Sequence, residues 1–169
     1  PEAYPSVQLY VGCFGRGSFV FGERGDEKEL SIEEGEILIV EGGTYCGAQT
    51  KEGFVYTEII PGKGIKMNEK VIAGNVFKLA ELVPYQDGSI VNLDVASNDS
   101  MKFIVMAFDE GQSLSPHAAP GDAIVFALDG KAVINYEGRD HELKSGENFR
   151  FAKGGMHAVK AEGRFKMAL

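Results

Sequence analysis

Apolar residues along this chain come in short runs and not in a helical stripe: "VQLYVG", "SFVFGE", "EILIV", "FVYTEII", "KFIVMAF", "AIVFAL", "AVINY" and "FRFA". Runs of about 4 to 8 residues, rich in β-branched and aromatic side chains and punctuated by Gly or Asp, predict strands. The pattern predicts an all-β protein. One segment departs from it. "NVFKLAELV" sets Val76, Leu79, Leu82 and Val83 on one helical face, with Asn75 as cap and Pro84 as stop. A short helix is expected near 76–83.

The runs repeat. Matching Gly35 with Gly146, a spacing of 111 residues, also pairs Glu36 with Glu147, Gly43 with Gly154, Cys46 with His157 and Phe54 with Phe165, without a gap. Upstream, "GRGSFVFGERGDEKELSI" and "GKAVINYEGRDHEL" both read as hairpins, the first longer by four residues near Gly25–Lys28. Hairpin loops tolerate such insertions. A period this long points to duplicated domains, since solenoid repeats run to roughly 20–50 residues. The expected division is 1–60 as the latter half of a first domain, 61–75 as a polar, glycine-containing linker, and 76–169 as a full second domain. Half a barrel exposes strand edges. Either an N-terminal portion is lost or another chain supplies the missing strands.

Composition narrows the function classes. Of 169 residues, 17 are Lys or Arg and 25 Asp or Glu, a formal charge of −8, and no basic cluster is dense enough to follow a phosphate backbone. No nucleic-acid partner is expected. No apolar run approaches the roughly 20 residues of a membrane helix, and "PEAYPSV" lacks the regions of a signal peptide, so no membrane partner and a cytoplasmic location are expected. The two cysteines, Cys13 and Cys46, form no C-x-x-C pair and read as reduced thiols. "GCFGRG" and "GKG" match no phosphate-binding loop, and no serine stands in a G-x-S-x-G elbow.

Two motifs resemble the cupin superfamily. "GQSLSPHAAPGDAIVFALDG" has Gly111, five residues, then His117, and later Gly130; "GENFRFAKGGMHAVKA" has Gly146, Gly154 and His157. With "VNLDVASNDSMKFIVMAFDEG" ahead of them the resemblance covers Val76–Leu169, and "AELVPYQDGSIV" and "GRFKMAL" look like small bacterial cupin-domain proteins. It implies a double-stranded β-helix, or jelly-roll, barrel, here duplicated into a two-cupin chain. Metal-binding cupins use three His and one Glu. In this sequence the first and last of those positions are His117 and His157, while the second His is Ala119 and the Glu is Ala123.

Two imidazoles are a thin ligand set, because catalytic zinc usually keeps three protein ligands and non-haem iron two His and a carboxylate. Asp122 lies one residue before the Glu position, and alternation along a strand would turn it away. The expected reading is a small organic ligand in the second barrel, held by His117, His157, Asp122, Phe149 and Phe151, with no metal. The alternative is one divalent ion (Zn, Mn, Fe or Ni) at His117 and His157, in a metal-dependent oxygenase or an isomerase or epimerase of this class. In the first copy Cys46 takes the last-His position as a structural thiol, and Glu2 is the ionisable side chain near the companion motif. His141, beside a hairpin turn, is expected to be solvated and without a role. A homodimer is expected, as cupin dimers are common.

Overall fold

The structure is a computed structural model and describes residues 2–169, Glu2 by its backbone alone. The chain divides into two compact units, Pro1–Leu79 with Val95–Lys102, and Ala80–Asp94 with Phe103–Leu169. In the first unit lie β1 (Glu2–Ala3), β2 (Gln8–Glu23), β3 (Asp26–Glu33), β4 (Glu36–Val40), β5 (Tyr45–Gln49), β6 (Phe54–Ile59), β7 (Lys66–Met67) and β8 (Val76–Lys78). Their sheet runs β1-β5-β2-β4-β8, with β3 and β6 also paired to β2. Strand β9 (Ile90–Ser97) starts in the second unit and pairs its last residues with β7. The second unit continues with β10 (Lys102–Phe108), β11 (Ser113–Ala118), β12 (Ala123–Tyr136), β13 (Arg139–Lys144), β14 (Asn148–Phe151) and β15 (Met156–Ala168). Here the path is β13-β12-β15-β10-β9, with β11 on β15 and β14 on β12.

Period-two alternation builds each core. Along β12, Val125, Ala127, Ala132 and Ile134 are buried; along β15, His157, Val159, Ala161, Phe165 and Met167 are. All of these except His157 join Phe108, Leu143 and Phe151 in one cluster. A fully buried side chain of this size stabilises the fold by about 1.5–3 kcal/mol. Tyr10, Phe19, Phe21, Ile32, Leu38, Val40 and Cys46 form the corresponding cluster of the first unit.

The helix expected near 76–83 is a single 3-10 turn, Leu79–Glu81, entered from β8. Val76 and Phe77 pair with Leu38 and Ile37 of β4, so their backbone groups are committed to a ladder. Pairing with a neighbour overrides a weak local helical pattern. Segment 61–75, expected as a linker, falls within the first unit. Its Lys66 and Met67 form β7, and the Asn98 side-chain amide donates to the carbonyls of Pro61 and Lys63 at 2.7 and 3.2 Å.

Strand pairing carries the sequence repeat through in register. Gln8↔Val40 in the first unit matches Ala123↔Phe151 in the second, Phe21↔Cys46 matches Tyr136↔His157, and Gly15↔Phe54 matches Gly130↔Phe165. The four extra residues of the first hairpin are two further rungs. It pairs from Arg16↔Glu33 to Glu23↔Asp26, whereas the second runs from Lys131↔Lys144 to Tyr136↔Arg139. Small devices repeat too: the amides of Glu33 and Lys144 donate to the carboxylates of Glu36 and Glu147 at 2.9 and 2.8 Å. Gly15 and Gly130 have φ of 71° and 72°, and a Cβ on either would strike a carbonyl oxygen, that of Gly53 or of Arg164.

The units differ at one edge. The last part of β15 lies between β12 and β10, with Val105↔Ala168 through Phe108↔Phe165 on the β10 side. Its counterpart β6 pairs with β2 alone among the described strands.

Candidate functional site

Antiparallel pairing of β11 with β15 sets His117 directly opposite His157. Their ring centroids are 4.2 Å apart, tilted by 55°. His157 is buried and His117 exposed. Each ring is held through Nδ1 by the carbonyl two residues earlier on its own chain: His117 to Ser115 at 2.8 Å and His157 to Gly155 at 3.2 Å. Burial, with the neighbouring His117 adding to it and the Gly155 carbonyl opposing, holds the His157 pKa below the ordinary histidine range.

Aromatic rings continue inward from this pair. Phe151 of β14 stacks on His157, centroids 3.9 Å apart at 21°. Phe149 lies 5.4 Å from Phe151, and Tyr136 lies 5.7 Å from each. The Tyr136 hydroxyl accepts the Ala152 amide at 3.3 Å. It crosses directly over Gly155, where a Cβ would stand 2.6 Å from Tyr136 Cε2 and 2.7 Å from its Oη. The turn before β15 fixes the arrangement: Gly155 O accepts from the Ala119 amide as well as from His157, and the Gly154 amide donates to Ala119 O.

Of the residues read from sequence, the fold brings together His117, His157, Phe149 and Phe151. Asp122 has other partners. Its carboxylate accepts from Arg150 and from the Lys153 amide, both at 3.1 Å. Ala119 is buried in the core cluster and Ala123 packs against it. Among the described residues no group of three His, Cys, Asp or Glu could hold a metal ion. Two imidazole nitrogens do not fit the four-ligand centre that the family resemblance implies.

Two ring residues escaped the sequence reading. Tyr136 is opposite His157 because the β12–β13 hairpin closes over Glu137 and Gly138, both at positive φ. A hairpin register drawn from "YEGRD" would have found it. His141, expected to be solvated, is half-buried with its ring 5.1 Å from Phe149, because its place opposite Ile134 turns it along the sheet toward β14.

The matching place in the first unit has different chemistry. Cys46 stands where His157 does, Gln8 where Ala123 does and Glu2 where His117 does; the Glu2 side chain lies outside the described residues. Gln8 is fully buried, its amide nitrogen donates to the Ser6 carbonyl, and its Oε1 has no partner among the described residues. Burial pushes the Cys46 thiol up, and burial together with the Cys46 thiol pushes the Tyr10 hydroxyl up. Both are neutral at pH 7. A separate open groove of about 810 Å³ on this unit is lined by Val20, Arg24, Glu27, Tyr45 and Gln49 among others.

No helix among the described residues is long and apolar enough to cross a membrane. A family model, the cupin domain, matches residues 104–169. A cupin 2 conserved barrel domain protein from Leptotrichia buccalis is similar at 27% identity with a TM-score of 0.82, over 99% of this chain and 74% of its own. A cupin superfamily protein from Desulfitobacterium hafniense is 27% identical with a TM-score of 0.52, over 53% of this chain and 83% of its own. A conserved protein of unknown function from Streptococcus pyogenes, 23% identical with a TM-score of 0.58 over 63% of this chain and 93% of its own, shares the fold. No curated protein matches the sequence. Residues 104–169 match the cupin-domain model, and the fold of the chain is that of the cupin barrel proteins it resembles.

Proposed function

We propose that the second unit binds a small organic molecule at the end of the barrel where His117 and His157 meet. One observation carries the reading: the facing imidazoles run on into the rings of Phe151, Phe149 and Tyr136, while among the described residues no third metal-ligating group joins them. Apolar walls with a few convergent polar groups are the usual make-up of a small-molecule site. Ala119 and Ala123 keep charge out of it. The test is a screen of aromatic and aliphatic fragments by NMR on the full chain, selectively labelled at histidine. Fragment-induced shifts at His117 and His157, lost in His117→Ala, are expected. Stoichiometric binding of Zn²⁺ by the parent at micromolar concentration, with no fragment affecting either imidazole, would favour the metal-dependent enzyme instead.

A homodimer rests on a separate observation, the open edge of β6, where Val55, Tyr56 and Ile60 are exposed beside exposed Phe14. The occupant proposed is β6 of a second copy. A two-fold antiparallel register centred on Thr57 sets Val55 against Ile59 and the sole charge of the strand, Glu58, against Tyr56 of the other copy, so no like charges meet. Light scattering should give a dimer that Val55→Lys dissociates. A monomer, or one whose β6 amides resist hydrogen exchange because another segment of its own chain covers the edge, contradicts this reading.

A further inference from the structure

The hydrogen bonds of the two imidazoles determine which nitrogen of each carries the hydrogen. A backbone carbonyl only accepts, so Nδ1 of His117, on Ser115 O, and Nδ1 of His157, on Gly155 O, are the protonated nitrogens of the neutral rings. Each Nε2 is therefore a lone-pair acceptor. The opposite holds at Tyr136. Its oxygen accepts from the Ala152 amide, which leaves the hydroxyl hydrogen to donate elsewhere. Around these groups lie the rings of Phe149, His141 and Tyr136, all half-buried, over buried Phe151. Of the ionic groups beside them, Asp122 and Arg150 are paired with each other, and the Glu137 carboxylate accepts the Met156 amide at 2.6 Å.

We propose that the ligand is a hydroxylated aromatic ring of the phenol or catechol class. Its hydroxyl donates to Nε2 of His117 or His157 and accepts from Tyr136 Oη, while its ring lies against Phe149 in the offset or edge-on contact that aromatic pairs prefer. One hydroxyl meets both demands because it is donor and acceptor at once. An amine meets only the first well. A carboxylate meets neither imidazole, since it would set its lone pairs against theirs, and an ether or a bare hydrocarbon offers neither Nε2 a hydrogen, which leaves the buried His157 nitrogen unbonded. The inference rests on the reading of this end of the barrel as an organic-ligand site and names the ligand's chemistry.

The test titrates the full chain, ¹⁵N-labelled at histidine, with phenol, catechol, anisole and benzoate at pH 7.5. Phenol and catechol should move the Nε2 resonances of His117 and His157 in the direction of an accepted hydrogen bond and bind at least tenfold more tightly than anisole or benzoate. Tyr136→Phe keeps the ring and should weaken phenol several-fold while leaving anisole unchanged. Anisole or benzoate binding as tightly as phenol overturns the assignment of a donor ligand. So does a titration in which none of the four probes reaches the imidazoles. In either case, other fragments shifting His117 and His157 would leave the ligand-site reading standing, and none doing so would remove both.

Discussion

Replacing Gly155 with alanine tests whether Tyr136 is held in place by the absence of a side chain beneath it. The new Cβ would stand 2.6 Å from Tyr136 Cε2 and 2.7 Å from its Oη, against the roughly 3.5–4.0 Å of an ordinary carbon contact. Either the ring is compressed, an overpacking worth about 1–3 kcal/mol, or it swings away. Swinging away gives up contacts with Phe149 and Phe151, each worth about 0.5–1.5 kcal/mol, and the Ala152 hydrogen bond, worth about as much again. Both routes lead to a loss of about 2–3 kcal/mol. Ala152 O, 3.0 Å from the same Cβ, is crowded whatever residue 136 is, so the single variant does not isolate the tyrosine. A cycle of parent, Gly155→Ala, Tyr136→Ala and the double variant does, followed by urea unfolding with circular dichroism because the chain has no Trp. Removing Tyr136 should relieve most of the cost of Gly155→Ala, a coupling of about 1–3 kcal/mol. A coupling under about 0.5 kcal/mol would refute the packing described for this site.

Further outcomes follow from the same structure. Gly15→Ala and Gly130→Ala should each cost about 2–5 kcal/mol, combining left-handed backbone with a blocked Cβ, whereas Gly163→Ala, at φ 80° with open space, should cost only about 1–2 kcal/mol; urea midpoints compare them. The unfolded chain protonates His157 before the folded protein does, so stability from its neutral form is full above pH about 6.5 and lost as pH falls through the depressed folded pKa. Thermal melts between pH 7.5 and 4.5 should show this loss, and His157→Gln should reduce it. Ala119→His with Ala123→Glu should create micromolar Zn²⁺ or Ni²⁺ affinity that the parent lacks, measured by calorimetry, with some loss of stability because Ala119 is buried. Cys46, buried and with its pKa raised, should resist alkylation in the folded protein and react on unfolding.

Much of the fold was legible because strand signals are local and the repeat supplied its own alignment. Short apolar runs between Gly and Asp marked the strands, and pairing Cys46 with His157 named two positions that share a register partner, Phe21 in one unit and Tyr136 in the other. The 76–83 segment misled because apolar residues spaced for a helix also suit a short strand followed by one turn, and the pairing of β8 with β4 decides between them. At the site, His117, His157 and the two phenylalanines could be named from motif positions. Tyr136 and His141 could not, since their roles depend on which hairpin rung faces β14 and β15. Asp122 was ambiguous for a related reason: its carboxylate partners, Arg150 and the Lys153 amide, are distant in sequence.

The central claim is that two imidazoles and a set of rings, without a resident metal, hold an organic ligand. An electron-density map of the full chain, purified without chelator and crystallised, tests it at one place, the space reached by Nε2 of His117 and of His157. The account predicts water or planar organic density at hydrogen-bonding distance, about 2.7–3.2 Å, from one or both nitrogens. A peak with anomalous signal about 2.0–2.1 Å from both would contradict it, because that is the bond length of a coordinated metal.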